Sequence, residues 1–96
     1  MELGGTKTVV AIGESDGILI EEMRFPTSTP EDTLKTAIEW FSRKGTPEAM
    51  GIAAFGPVQI NPKAENWGEM LATPKPNWSG FSITSALSEA FPEMEI

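Results

Sequence analysis

The chain has 96 residues, with 7 Lys plus Arg against 14 Asp plus Glu, so its formal net charge is −7. Hydrophobic residues make up 40% and charged residues 22%, ordinary shares for one globular domain or part of one, with no membrane-length apolar run, signal-peptide pattern or basic cluster for nucleic-acid phosphates. Cys and His are both zero, which excludes a disulfide framework, a Cys/His zinc site, a Cys nucleophile and a His general base from these residues, and fits a cytoplasmic setting.

Residues 8–13, Thr-Val-Val-Ala-Ile-Gly, are β-branched and apolar and predict a strand. Ser15-Asp16-Gly17 predicts a turn, and Ile18 to Phe25 the second arm of a hairpin that Pro26 stops. Thr29-Pro30-Glu31-Asp32 predicts a helix start. A hydroxyl caps it, proline suits the first helical position, and two acids meet the positive dipole end. Leu34, Ala37, Ile38 and Phe41 then share one apolar face, and Gly45 and Pro47 close the helix. Met50 to Phe55 reads as a buried strand of a parallel pair.

From Gly56 to Gly80 four prolines and two tryptophans break the pattern into a long loop. Loops of that length in a compact domain are functional or disordered, and two tryptophans argue against disorder. Ser82 predicts a second cap, with Ile83, Ala86, Leu87, Ala90 and Phe91 on one face and Pro92 as the stop. Glu95-Ile96 reads as the start of a further strand. The order predicts an α/β fold that is incomplete.

Three segments carry chemistry. In Glu2-Leu3-Gly4-Gly5-Thr6-Lys7 the glycines let backbone N–H groups approach an anion, Thr6 adds a donor, and Glu2 suits a hydrated Mg²⁺. Taken alone, the commoner meaning of such a segment is an ordinary glycine turn. Phe55-Gly56-Pro57 follows the strand of residues 50–55, where open α/β sheets bind ligands, and it reads equally as a plain strand-to-loop turn. Thr73-Pro74-Lys75-Pro76-Asn77-Trp78 combines hydroxyl, cation, amide and aromatic groups suited to a polyol. It also fits a proline-braced loop with Trp78 in the core. Trp40 reads as core or interface, Met23, Met50 and Met70 as gap fillers, and Glu21, Glu22, Glu31 and Glu39 as solvated faces.

These segments, together with Phe-Pro-Thr-Ser-Thr-Pro-Glu-Asp-Thr-Leu at residues 25–34, resemble the amino-terminal region of bacterial fructokinases of the ROK family (repressor, open reading frame, kinase). The resemblance runs in order over essentially all of the chain. It implies the actin-like, ribonuclease-H-like kinase fold, a mixed sheet with flanking helices, with residues 1–96 as a partial amino-terminal lobe incomplete at both ends. It also implies ATP-dependent phosphorylation of D-fructose to fructose 6-phosphate. By match of motif, Glu2 would lie near the metal and phosphates. Gly4, Gly5, Thr6 and Lys7 would form the first phosphate loop. Gly56, Pro57, Thr73, Pro74 and Lys75 would lie on the sugar side.

The family's apolar strand before the acidic residue is represented only by Met1, and the matching catalytic aspartate is expected beyond Ile96. The second phosphate loop, adenosine pocket and zinc-binding Cys/His segment are expected beyond it too. ATP and Mg²⁺ are the implied cofactors here, and a homodimer is implied for the full-length protein. The expected partners are a small-molecule sugar and nucleotide, with neither nucleic acid nor membrane. A fragment of this kind is expected to be inactive alone, and to self-associate or fold poorly through unpaired strand edges. A sugar-responsive ROK regulator, a non-catalytic product, and a ROK kinase for glucose, mannose or N-acetylmannosamine are the alternatives.

Overall fold

A computed structural model describes residues 1–45 and 47–96. Its elements are β1 (Glu2–Leu3), β2 (Lys7–Gly13), β3 (Leu19–Pro26), α1 (Pro30–Arg43), β4 (Ala53–Ala54) and α2 (Ile83–Ala90). The sheet order is β3-β2-β1-β4. β2 and β3 form the expected hairpin, antiparallel from Lys7↔Pro26 to Gly13↔Leu19 with an irregularity at Ile12/Gly13. Gly17 takes φ +88°, and its N–H donates to the Glu14 carbonyl at 3.0 Å, as the tight turn requires. β1 is antiparallel to β2 but parallel to β4, with Glu2↔Ala53 and Leu3↔Ala54 in register. The helix between them is the crossover that a parallel pair needs.

The register sorts side chains by face. Ala54, Leu3, Thr8 and Phe25 form one cross-strand row, and Leu3, Thr8 and Val10 are fully buried. The other face carries Ala53, Glu2, Val9 and Arg24, and stays open. Two-residue strands have no periodicity to read, so β1 is not recognisable in the sequence. The segment 50–55 is a strand only at Ala53–Ala54, and its burial alternates instead of being continuous. Gly51 and Ala53 are exposed on the open side of the sheet, where no helix packs among the described residues.

α1 begins as its sequence predicts: the Thr29 side chain accepts from the Asp32 N–H at 3.2 Å, and Pro30 occupies the first turn. Its buried stripe is Thr33, Leu34, Ala37, Trp40 and Phe41, with Ile38 only half-buried. Trp40 meets Phe41 edge-on at 5.2 Å, and the Lys44 ammonium sits 5.4 Å from the Trp40 ring centre. Lys44 also pairs with Glu21, tying the end of α1 to β3.

Ser82 caps α2 by accepting from the Ser85 N–H at 3.2 Å. Ile83, Thr84 and Leu87 are buried, whereas Ala90, expected on the buried face, is exposed. The chain leaves helical geometry at Phe91 and turns that ring inward.

The segment between β4 and α2 is ordered by long-range backbone bonds. Leu71 N–H donates to the Pro57 carbonyl at 2.9 Å, Met70 N–H to Phe81 at 2.8 Å, and Gly68 N–H to Gln59 at 2.8 Å. Met70 and Trp78 are completely buried, so this loop supplies core as well as surface. The further strand expected at the chain's end appears as a parallel bridge, Ala49↔Glu95, with Met50 N–H donating to the Glu95 carbonyl at 2.7 Å.

Candidate functional site

Because β1 and β4 are parallel, the segments that follow them emerge at the same end of the sheet. Gly4–Lys7 leaves β1 there and Phe55–Pro57 leaves β4, with Phe55 N–H still bonded to the Leu3 carbonyl at 2.8 Å. The peptide bond between Gly56 and Pro57 is cis. The Pro57–Leu71 bond then brings Thr73–Trp78 alongside. The three segments read as chemical in the sequence therefore share one end of the fold, at the carboxyl ends of neighbouring parallel strands.

The Gly4–Lys7 turn is specifically built. Gly4 N–H donates to the Lys7 carbonyl at 3.1 Å. The Gly4 carbonyl, which a closed turn would give to the Lys7 N–H, instead accepts the Thr27 hydroxyl at 2.7 Å. Thr27 N–H donates to the Thr6 carbonyl at 2.9 Å. Among the described residues, no turn or side-chain acceptor takes the N–H of Gly5 or Thr6, and both residues are exposed. Two free donors, a hydroxyl and the exposed Lys7 suit an anion such as phosphate.

The two glycines do different things. A Cβ on Gly4 would lie 2.5 Å from the Lys7 carbonyl oxygen, whereas one on Gly5 would meet nothing within 4 Å. Gly4 is glycine for the fold, and Gly5 leaves open space on the outer side. Gly4→Ala is expected to cost about 1–3 kcal/mol by forcing that backbone contact apart. Gly5→Ala is expected to stay within about 0.5 kcal/mol of the parent. Denaturant midpoints of the two variants check this.

Glu2 is exposed on the open sheet face, in register with Val9 and Ala53. Among the described residues no three acidic side chains cluster as a metal cage. A lone carboxylate still fits Mg²⁺, which keeps several waters and takes its other ligands from phosphates. Burial lowers the pKa of the neighbouring Met1 amine below its ordinary value, and the Glu2 charge opposes this.

On the other side, Thr73 is held by its own loop. Its N–H donates to Ser79 Oγ at 3.0 Å, and its hydroxyl accepts from Lys75 N–H at 3.4 Å. Asn77 takes φ +74°, a conformation asparagine tolerates. Trp78 anchors the loop. Its Nε1–H donates to the Ser28 carbonyl at 3.0 Å, and its ring meets Phe55 at 5.2 Å and Phe81 at 5.9 Å, both edge-on. Thr27 and Ser28, adjacent in sequence, thus brace the Gly4–Lys7 turn and the Thr73–Trp78 loop.

A concavity of about 680 Å³ lies elsewhere: Ile12, Phe41, Lys44 and Met50 line it at the opposite end of β1 and β4. A shallower one of about 520 Å³ lies on the open sheet face and includes Glu2. The candidate site is a convergence of loops at a sheet end, and volume alone would not have found it. Sequence reasoning also missed Thr8 and Thr27, whose β-branched side chains signal only strand and loop.

The family model described as "ROK family" matches residues 1–94. The chain belongs to the ROK family. A Bacillus subtilis (strain 168) protein bearing a provisional fructokinase name is 41% identical over 96 residues, 100% of this chain and 31% of its own. A fructokinase of Zymomonas mobilis (strain ATCC 31821 / ZM4 / CP4) is 38% identical over 97 residues, covering 95% of this chain and 32% of the relative. A kanosamine kinase of Amycolatopsis mediterranei (strain S699) is 31% identical over 104 residues, 100% of this chain and 32% of its own. The chain thus spans about a third of the length of the curated relatives it matches. The four-stranded mixed sheet with two helices is the α/β arrangement of a ROK amino-terminal lobe. No helix among the described residues is long and apolar enough to cross a membrane.

Proposed function

We propose that this chain is the phosphate- and sugar-binding part of an ATP-dependent hexose kinase whose preferred substrate is D-fructose. The observation that carries the reading is the Gly4–Lys7 turn, in which, among the described residues, the N–H groups of exposed Gly5 and Thr6 have no acceptor, beside the Thr6 hydroxyl and Lys7. Phosphoryl transfer depends on positioning and on stabilising charge around the transferred group. The Gly5 and Thr6 N–H groups and the Thr6 hydroxyl would hold nucleotide phosphate oxygens, and Lys7 would offset their charge. Glu2 would hold a hydrated Mg²⁺, which supplies charge neutralisation across the phosphates when bound. Gly56 and Pro57, with Thr73, Pro74 and Lys75, would face the sugar hydroxyls from the neighbouring loops. The fructokinase names among the relatives support fructose.

The assay is MgATP-dependent phosphorylation by the protein as expressed from its gene. It would be run against fructose, glucose, mannose, N-acetylmannosamine and kanosamine. Fructose is expected to give the highest kcat/KM. No turnover on any hexose would overturn the reading. A dominant rate with kanosamine or another hexose would favour the second reading, a ROK kinase of different sugar choice, which the kanosamine kinase relative supports. Gly5→Ala should raise the KM for MgATP about tenfold or more, because its methyl fills the anion's space without disturbing the turn.

The 96 residues by themselves are expected to show no turnover. They offer donors for one side of the nucleotide phosphates, and the aspartate that would act as base is expected beyond Ile96. A general base contributes a factor of about 10² to 10⁴. Incubating the purified 96-residue polypeptide with fructose and MgATP checks this; clear sugar phosphate formation would refute it.

A further inference from the structure

We propose that Thr27 is a positioning residue for the anion-binding turn, and that the buried Thr8 hydroxyl sets its direction. The inference rests on the kinase reading above and adds a residue to it. Thr27 Oγ1 lies 2.7 Å from the Gly4 carbonyl and 2.7 Å from Thr8 Oγ1. A hydroxyl has one proton. Because Thr27 donates it to Gly4, the Thr8 hydroxyl must donate to Thr27. Thr8 is fully buried, so its hydroxyl cannot rotate away to water. The order of donation therefore runs one way, from Thr8 to Thr27 to Gly4.

The consequence falls on the turn. A Gly4 carbonyl left free would be open to the Lys7 N–H, and the turn could close on itself. Thr27 holds that carbonyl turned toward its own hydroxyl, while its N–H takes the Thr6 carbonyl. The Gly4 carbonyl shares its peptide plane with the Gly5 N–H, and the Thr6 carbonyl with the Lys7 N–H, so both of those donors are oriented from outside the turn. The Gly5 N–H, on the opposite side of its peptide from the carbonyl that Thr27 holds, is arranged for a ligand before it arrives. Thr27 need not touch the nucleotide. It acts through the backbone that does.

Three variants of the protein as expressed from its gene test this, each read by Tm, by the KM values for MgATP and for sugar, and by the Tm shift that MgATP alone produces. Thr27→Val should raise the KM for MgATP about tenfold, the scale of one net hydrogen bond, and leave the sugar KM within about twofold. It should also lower Tm, because the Thr8 hydroxyl loses its partner while buried. The double variant Thr8→Val/Thr27→Val removes both hydroxyls. Its Tm should recover while the KM for MgATP stays raised, since replacing both partners by apolar groups is nearly neutral for stability. Thr27→Ser should restore both quantities.

A merely structural role predicts the opposite for the double variant: KM returns with Tm, and that outcome overturns the proposal. Equal rises in the sugar and MgATP KM values overturn it as well. If the parent protein binds MgATP but phosphorylates no hexose, the kinase reading falls. The positioning role is then judged on the MgATP-dependent Tm shift, which Thr27→Val should reduce. A parent with no MgATP-dependent shift overturns both.

Discussion

Gly68→Ala is expected to be the most damaging small substitution in the chain, costing about 2–5 kcal/mol. Gly68 is buried at φ +82°, and a Cβ there would sit 2.2 Å from Thr84 Cγ2 and 2.4 Å from Thr84 Oγ1. The backbone conformation alone costs an L-residue about 1–2 kcal/mol, and overpacking adds about 1–3 kcal/mol. Thr84 cannot move aside cheaply. Its hydroxyl donates to the Trp67 carbonyl, and it lies in the first turn of α2, where the Gly68 carbonyl accepts the Ile83 N–H at 2.9 Å. Gly80→Ala is the control, since Gly80 has φ +85° with nothing within 4 Å of a Cβ. It should show the backbone cost without the clash. Denaturant midpoints of the two variants side by side measure the difference; equal losses would mean that Thr84 yields.

Trp78→Ala should cost about 3–5 kcal/mol, the range for truncating a large buried aromatic. The side chain is fully buried between Phe55 and Phe81, and its one polar atom is satisfied by Ser28. Trp78→Phe keeps much of the ring volume and loses that bond. Its cost should fall well below that of alanine, because the exposed Ser28 segment can turn to water. The functional result should differ from the stability result. With the indole bond gone, Thr73–Lys75 loses its fixed distance from the strap at residues 27–28, so under the kinase function proposed above the sugar KM should rise more than the KM for MgATP. Unfolding curves and the two KM values read these effects separately.

Much of the frame is legible in the chain because its signals are local. Thr29-Pro30 and Ser82 announce helix starts through their own capping chemistry, and Ser15-Asp16-Gly17 announces a reversal through a glycine that does take positive φ. The three chemical segments are legible as residue types, and the family resemblance links them to one function. Their meeting at one sheet end is a matter of topology. It depends on β1 lying parallel to β4, and a strand of two residues announces nothing.

The stretch between β4 and α2 is illegible for the same kind of reason. Its order comes from bonds such as Leu71 to Pro57 and Ile83 to Gly68, which follow no period. Thr8 and Thr27 lie nineteen positions apart, and neither marks the other in sequence. Ala90 is the last helical residue of α2 and is exposed, and Phe91, outside helical geometry, is the one that turns inward.

The parallel pairing of β1 with β4 also sets an order of assembly. The β2–β3 hairpin closes over a few residues, whereas Glu2 must wait for Ala53 and the Ser28 carbonyl for Trp78, each about fifty positions further on. Contacts of such sequence separation form late and slow folding, because loop-closure entropy is lost before they give anything back. On a ribosome, the hairpin and α1 can form while one edge of β1 still lacks its neighbour. The Gly4–Lys7 turn can take shape with them, since Thr27 has already been made. The Phe55–Pro57 and Thr73–Trp78 segments join only when the second half of the chain has emerged.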